Sequence, residues 1–341
     1  MRTYGIYCLT LCFISVLGGL LHSSSAHADE DNIVNDWSIS GYTSINFNVP
    51  NNENAELELD DLAFFIQGHI NQYLNPFVEA EIGRLPIWIE GRGIFPQAGE
   101  FDLERLYNES RLSDSIIVRL GKMLAPVGEW NQVHAAPLVA TINRPLTTYI
   151  NFSKFISGVE FKYAPVNWLP NISLYYQPSN ELAPKKITTE PIRYKNITGI
   201  NLQYGDEFTA QLALSIQHAD LIIQNETQTL YSLDGQDDFG WLQISSQLTY
   251  TTITGQGQTR VRDFERGGYI QTLLPISERW AFVYREELFL SRHNLQTHYN
   301  TVLNINFTPD DSTIWKMEYV FQNGAQLNIQ EGFYSSFGMM F

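Results

Sequence analysis

Trp37-Ser38-Ile39-Ser40-Gly41-Tyr42-Thr43-Ser44-Ile45-Asn46-Phe47-Asn48-Val49 is the stretch that decides the fold. Trp37, Ile39, Gly41, Thr43, Ile45, Phe47 and Val49 fall on one face of an extended chain, and Ser38, Ser40, Tyr42, Ser44, Asn46 and Asn48 on the other. Successive side chains of a strand point to opposite sides, so a period of two is a strand's signature. A segment of about ten residues, apolar on one side and polar on the other, suits a barrel wall between lipid and water. The pattern returns near the end, where Tyr299, Thr301, Leu303, Ile305 and Phe307 oppose Asn300, Asn304 and Asn306.

Working outward, segments of this kind are expected at 37–49, 57–70, 77–85, 101–112, 115–123, 154–164, 171–177, 194–204, 208–217, 226–233, 239–252, 268–274, 280–289, 298–307, 313–321 and 328–341. The count is sixteen; if 226–233 and a partner are loop, it is fourteen. Connections alternate between short, such as Ser113–Asp114 and Thr308–Ser312, and long, such as Pro86–Glu100, Leu124–Ser153 and Pro178–Arg193. Short turns at one rim and long loops at the other belong to outer-membrane barrels. Aromatics beside the short turns read as a girdle at headgroup level: Tyr73 and Phe77, Tyr163 and Trp168, Tyr204 and Phe208, Trp280 and Phe282, Phe307 and Trp315. The expected fold is therefore all-β, a transmembrane antiparallel up-and-down barrel with one long loop folded inward.

The first 28 residues read as a cleaved signal peptide: Arg2 is the basic n-region, Ile6 to Leu21 the apolar core and Ala26-His27-Ala28 the cleavage site. Residues 29–341 are then one barrel domain. After residue 28 no apolar run approaches the roughly 20 residues a membrane helix needs, and a closed sheet is the other structure that pairs every backbone group in lipid. The only cysteines, Cys8 and Cys12, precede the cleavage point, which excludes a disulfide scaffold and thiolate chemistry from the mature chain. Net charge is −16, or −17 without Arg2, and argues against a nucleic-acid partner.

The stretch Arg119-Leu-Gly-Lys122-Met-Leu-Ala-Pro126-Val-Gly128-Glu-Trp-Asn131-Gln-Val-His134 ends a strand and opens a loop of about thirty residues. A loop longer than about 12–15 residues in a compact fold is usually functional or disordered. This one carries Trp130, Leu138, Ile142, Tyr149 and Phe152, too apolar for a solvated tail, so it is expected to enter and narrow the lumen. Here the sequence resembles the phosphate-selective porin superfamily and its porin-like relatives, in which an Arg-x-Gly-Lys strand end leads into a Pro-x-Gly turn and an Asn-containing loop. The matching residues are Arg119, Gly121, Lys122, Pro126, Gly128 and Asn131. The resemblance implies a sixteen-stranded channel that associates as a homotrimer. It departs from a phosphate pore in charge: Lys122, Arg144, Lys154 and Lys162 stand against Glu129 and Glu160 in an acidic chain, so phosphate selectivity is not carried over.

Strand parity places further charges inside. Val78, Ala80 and Ile82 facing lipid turn Glu79 and Glu81 inward. Phe155, Val159, Phe161 and Tyr163 outward turn Lys154, Glu160 and Lys162 inward, and Trp315, Met317, Tyr319 and Phe321 outward turn Lys316 and Glu318 inward. Around 101–112 and 280–289 parity is mixed; Arg105, Glu109, Arg111, Arg285 and Glu287 are expected inside. Among the histidines only His293 and His298, five apart, come near a metal-ligand spacing, and on a strand an odd separation puts them on opposite faces, so neither metal nor cofactor is expected; His134 stands out only for its place in the loop. Phe341, with Met339, Phe337, Ser335 and Phe333 at steps of two, resembles the C-terminal signal read by the barrel-assembly machinery. The expected function is passive passage of small hydrophilic solutes or ions, with outer-membrane lipid and lipopolysaccharide around the barrel. A plugged barrel with an adhesive or structural role is the alternative. A hydrolase would have to be built from Ser110 to Ser115 with His293, no motif supports that, and no enzyme is expected.

Overall fold

A computed structural model describes residues 36–133, 135–165, 169–186, 192–205, 211–255, 260–324, 327 and 329–341. They form one compact unit within Asn35–Phe341. The signal-peptide reading and His134 lie outside the described residues. In chain order the strands are β1 Asp36–Pro50, β2 Glu56–His69, β3 Asn75–Ile89, β4 Gly93–Ile94, β5 Glu100–Ser113, β6 Ile116–Leu124, β7 Phe155–Tyr163, β8 Asn171–Gln177, β9 Tyr194–Gly205, β10 Gln211–Leu221, β11 Glu226–Asp238, β12 Gln243–Gly255, β13 Phe264–Pro275, β14 Trp280–Leu290, β15 His298–Asp310, β16 Thr313–Gly324 and β17 Gly332–Met340. β4 is a two-residue extension folded back on β3, and the other sixteen strands are the wall.

Each wall strand pairs antiparallel with its neighbours in sequence, and the sheet closes where β1 meets β17, from Tyr42 opposite Met340 to Pro50 opposite Gly332. Phe341 completes the seam: its amide donates to the Gly41 carbonyl at 3.0 Å and its carbonyl accepts from the Gly41 amide at 2.8 Å. Among the described residues, closure leaves no wall strand with an unpaired edge, as lipid demands. Leu212, Leu248, Ile270, Trp315 and Met317 stand exposed on the outside, while Ser215, Gln247, Asn300, Asn304 and Glu318 are buried on the inside. Segment 226–233 belongs to the thirteen-residue strand β11, paired along both edges, so the count is sixteen.

Two interruptions of register decide which charges face the lumen. Ser44 pairs with Asp61 but Ile45 with Leu59, leaving Asp60 unpaired in β2. Glu79 pairs with Arg105 but Ala80 with Leu103, leaving Glu104 unpaired in β5. A bulge adds one residue to one strand and resets its alternation. That is why parity around 101–112 reads as mixed: Asp102, Glu104, Arg105 and Tyr107 all end up on the inner side. Two sequence expectations are corrected by the packing. Phe77 belongs not to the outer girdle but to an internal stack with Phe65 and Tyr107, ring centroids 6.0 and 5.1 Å away. Phe155 is buried rather than lipid-facing, with the Lys122 ammonium 4.8 Å from its ring.

Candidate functional site: the inward loop and the acidic wall

Between β6 and β7 the chain does not leave the barrel. It enters the lumen through a one-turn helix, α1 (Glu129–Gln132), and a 3-10 turn at Leu146–Thr148. Gly128 starts the inward path with φ 69°, and a Cβ there would lie 2.4 Å from the Gln247 side chain. Only glycine adopts that backbone cheaply and leaves that space. Asn131, of the motif, is buried and donates to the carbonyls of Ala125 (2.7 Å) and Lys154 (2.9 Å), tying the two ends of the loop together. Pro126 contributes a carbonyl that accepts from the Ser215 hydroxyl at 3.3 Å.

The loop is fastened to one side of the barrel at two places. At the first, Ala125, Val127 and Phe152 pack with Met123, Ile156, Tyr175, Ile197, Ala219 and Leu230. Around them Gln217 meets the Ser153 backbone (2.8 and 3.2 Å), and the Gln228 amide donates to the Asn151 carbonyl at 2.9 Å. At the second, Leu146 packs with Phe289, Val302, Val320 and Tyr334. A fully buried side chain of this kind contributes about 1.5–3 kcal/mol. Polar groups complete the grip. Glu318 accepts from the amides of Ile142 (2.8 Å) and Asn143 (3.1 Å) and from the Asn143 side chain (2.8 Å). Arg285 donates to the Thr141 hydroxyl (2.6 Å) and the Asn143 carbonyl (2.9 Å). Lys316 donates to the carbonyls of Ala136 (2.6 Å) and Val139, and Asn304 and Asn306 both donate to that of Ala140 at 3.0 Å. Lys316, Glu318 and Arg285 therefore face inward and are committed to the loop backbone.

The other expected charges are distributed as follows. Arg119 pairs with Glu109 (2.9 Å) and Glu160 (3.4 Å), neutralising a patch of the β5–β7 wall. Lys122 is fully buried against Glu181 (2.7 Å) and the Ala183 carbonyl (2.9 Å) of the β8–β9 connection. Gly121 precedes it at φ 137°, where a Cβ would lie 2.2 Å from the Leu106 carbonyl oxygen. Lys162 is half-buried on β7. Arg144 donates to the carbonyls of Trp130 (3.0 Å) and Thr148 (3.3 Å).

The loop holds to β8–β17, and open space is left between it and β1–β2. A cavity of about 310 Å³ lies there. Asn46, Asn48, Glu58 and Asp60 form its wall side, and Asn143, Arg144, Tyr149 and Lys154 its loop side. Asn46 donates to Asp60 at 2.8 Å and Asn48 to Glu58 at 2.7 Å, fixing both carboxylates. Farther round the wall, Glu79 pairs with Arg105, whose guanidinium lies 4.6 Å over Phe77. Glu81, Asp102 and Glu104 bring carboxylate oxygens within 4.8 Å of one another. The Lys185 ammonium, from the β8–β9 connection, sits among them, contacting Glu104, Asp102 (3.6 Å) and Glu81 (3.9 Å). Burial works against that charge, but Glu104, Glu81 and Asp102 outweigh it and hold the Lys185 pKa above the ordinary lysine value.

Glu58, Asp60, Asp61, Glu104 and Lys185 escape the sequence reading. A strict alternation cannot accommodate Asp60-Asp61 in a spanning strand without putting one carboxylate in lipid. The doublet is thus itself the signal of a bulge. Lys185 has no comparable signal, because a loop's destination is not written in its periodicity.

No protein-family model matches the chain, and no curated protein matches it. Solved structures do. The trimer form of OmpT, an outer membrane protein of Vibrio cholerae, aligns with TM-score 0.64 at 8% identity over 90% of this chain and 99% of its own. OmpF of Salmonella typhi, solved with daunomycin, aligns with 0.63 at 9% over 92% and 99%. An anion-selective porin from Comamonas acidovorans aligns with 0.60 at 12% over 89% and 98%. The chain has the fold of outer-membrane porins, and a closed barrel with this exterior belongs in the bacterial outer membrane. One expectation is corrected here. The sequence reading excluded an enzyme; the alignment with OmpT at 8% identity removes the ground for that exclusion, because at such identity a shared barrel carries architecture and leaves the chemistry open.

Proposed function

We propose that the protein is a porin-like channel through which small hydrophilic solutes or ions diffuse across the outer membrane. The observation that carries this reading is the cavity between the inward loop and the β1–β2 wall, lined by asparagines and by charges of both signs. A water-filled passage needs polar groups that keep their hydration, and charges facing a narrow lumen set its preference among ions. The loop's attachment along one side leaves this cavity beside it, which favours a constricted channel over a plugged barrel. The trimeric form of one structural neighbour supports association of three copies. Kinship with phosphate-selective porins rests on Arg119, Gly121, Lys122, Pro126, Gly128 and Asn131, and two of their charged groups, Arg119 and Lys122, are paired with carboxylates. Purified protein in planar bilayers is expected to give stepwise conductance; a protein silent at every voltage would refute the channel.

A further inference from the structure

We infer that the channel selects cations and that its permeant solutes are small cations, primary ammonium compounds among them, passing along the β1–β5 side of the lumen. This rests on the channel reading above. The loop's anchors on β8–β17 leave the described open space against β1 and β2, and a solute taking that route passes Glu58 and Asp60. Both carboxylates are presented by wall strands and oriented by Asn46 and Asn48, which donate to them without neutralising them.

Bases around the loop do not balance this wall. Arg285 pairs with Glu287 (3.6 Å), Lys122 with Glu181 (2.7 Å), and Lys316 stands two residues from Glu318 on the same face, whereas Arg144, bonded only to carbonyls, keeps its charge beside the cavity. On the acidic side Arg84 pairs with Glu100 and Arg105 with Glu79. Glu58 and Asp60 face the cavity with Arg144 and Lys154 opposite, and the wall beyond them adds Glu81, Asp102 and Glu104 against the ammonium of Lys185.

A second, independent observation gives the ligand chemistry. The trio Glu81, Asp102 and Glu104, on the same inner wall, already holds an ammonium group, that of Lys185. That internal ion pair shows carboxylates of this wall accepting a primary ammonium group. Three converging carboxylates suit such a group, which offers three donors and no acceptor.

The test is the zero-current potential of single channels in a potassium chloride gradient, for the full chain and for Glu58→Gln/Asp60→Asn. The full chain is expected to prefer potassium to chloride roughly tenfold, the low end of what a focused field does to local counter-ion concentration. The double variant is expected to lose most of that preference. Lys154→Gln removes the opposing ammonium and is expected to raise the preference. A small diamine added to one side should reduce potassium current in the full chain and less so in the double variant. Channels that conduct with a chloride-favouring or zero potential overturn this inference and leave the channel reading standing. A full-chain preference for potassium that survives the double substitution overturns the assignment to Glu58 and Asp60. Absence of any conductance overturns both.

Discussion

Glu318→Ala is the perturbation that most sharply separates a fastened loop from one that merely rests in the lumen. Glu318 is almost fully buried and takes three hydrogen bonds from Ile142 and Asn143. Hydrogen bonds to a charged group are worth about 1.5–3 kcal/mol each. Water in the lumen can replace part of that, so a net loss of about 2–4 kcal/mol in loop attachment is expected. Two kcal/mol is roughly a 30-fold change in an equilibrium. Lys316, Arg285, Asn304 and Asn306 still hold Ala136 to Asn143, and Leu146 still sits in its apolar contact. The barrel should therefore fold normally and the loop should detach far more often. Single-channel recording is the assay: open-channel noise and visits to a larger conductance level should rise at least tenfold, with an unchanged heat-modifiable band on electrophoresis. Glu318→Gln keeps the shape but offers one acceptor oxygen, and should fall between the two. Noise and conductance identical to the parent would refute the idea that this carboxylate holds the loop.

Three further outcomes are expected. Gly128→Ala should destabilise the loop entry by about 1–3 kcal/mol, because the residue has positive φ and the new Cβ meets Gln247; chemical unfolding in detergent measures it. Leu248→Arg, on a heavily exposed outer position, should cost up to about 2–4 kcal/mol of folding into lipid, and markedly less into a detergent that wets the site. Removing Phe341 deletes the two backbone bonds to Gly41 and the edge contact with Phe64 at 5.7 Å, so the fraction of heat-modifiable barrel recovered from membranes should fall.

What was legible in the sequence is what lipid enforces. The alternation of Trp37 to Val49 or of Tyr299 to Phe307 survives in the barrel because a misplaced polar residue there meets hydrocarbon. Even β11, rich in Thr, Ser and Asp, reads correctly once its outward Tyr231 and Leu233 are set against inward Ser232 and Asp234. The path of the 124–153 loop was legible only as a tendency, from its excess of apolar residues. Its anchors were not, because pairing Glu318 with Asn143 or Lys316 with Ala136 spans most of the chain and leaves no local trace. The acidic wall was hidden for a different reason. One unpaired residue in β2 and one in β5 shift the parity, so a count by two assigns their charges to the wrong side.

The division of the wall into a lipid face and a water face can be read directly by labelling single cysteines in a chain from which Cys8 and Cys12 are absent. Asn48→Cys and Glu58→Cys border the cavity; Leu248→Cys and Ile270→Cys stand on the exterior. In vesicles, a small charged thiol reagent should modify the first pair within seconds to minutes and spare the second, which only a lipid-soluble reagent should reach. Rapid modification of Leu248→Cys and Ile270→Cys by the charged reagent, with Asn48→Cys and Glu58→Cys protected, would contradict the whole arrangement.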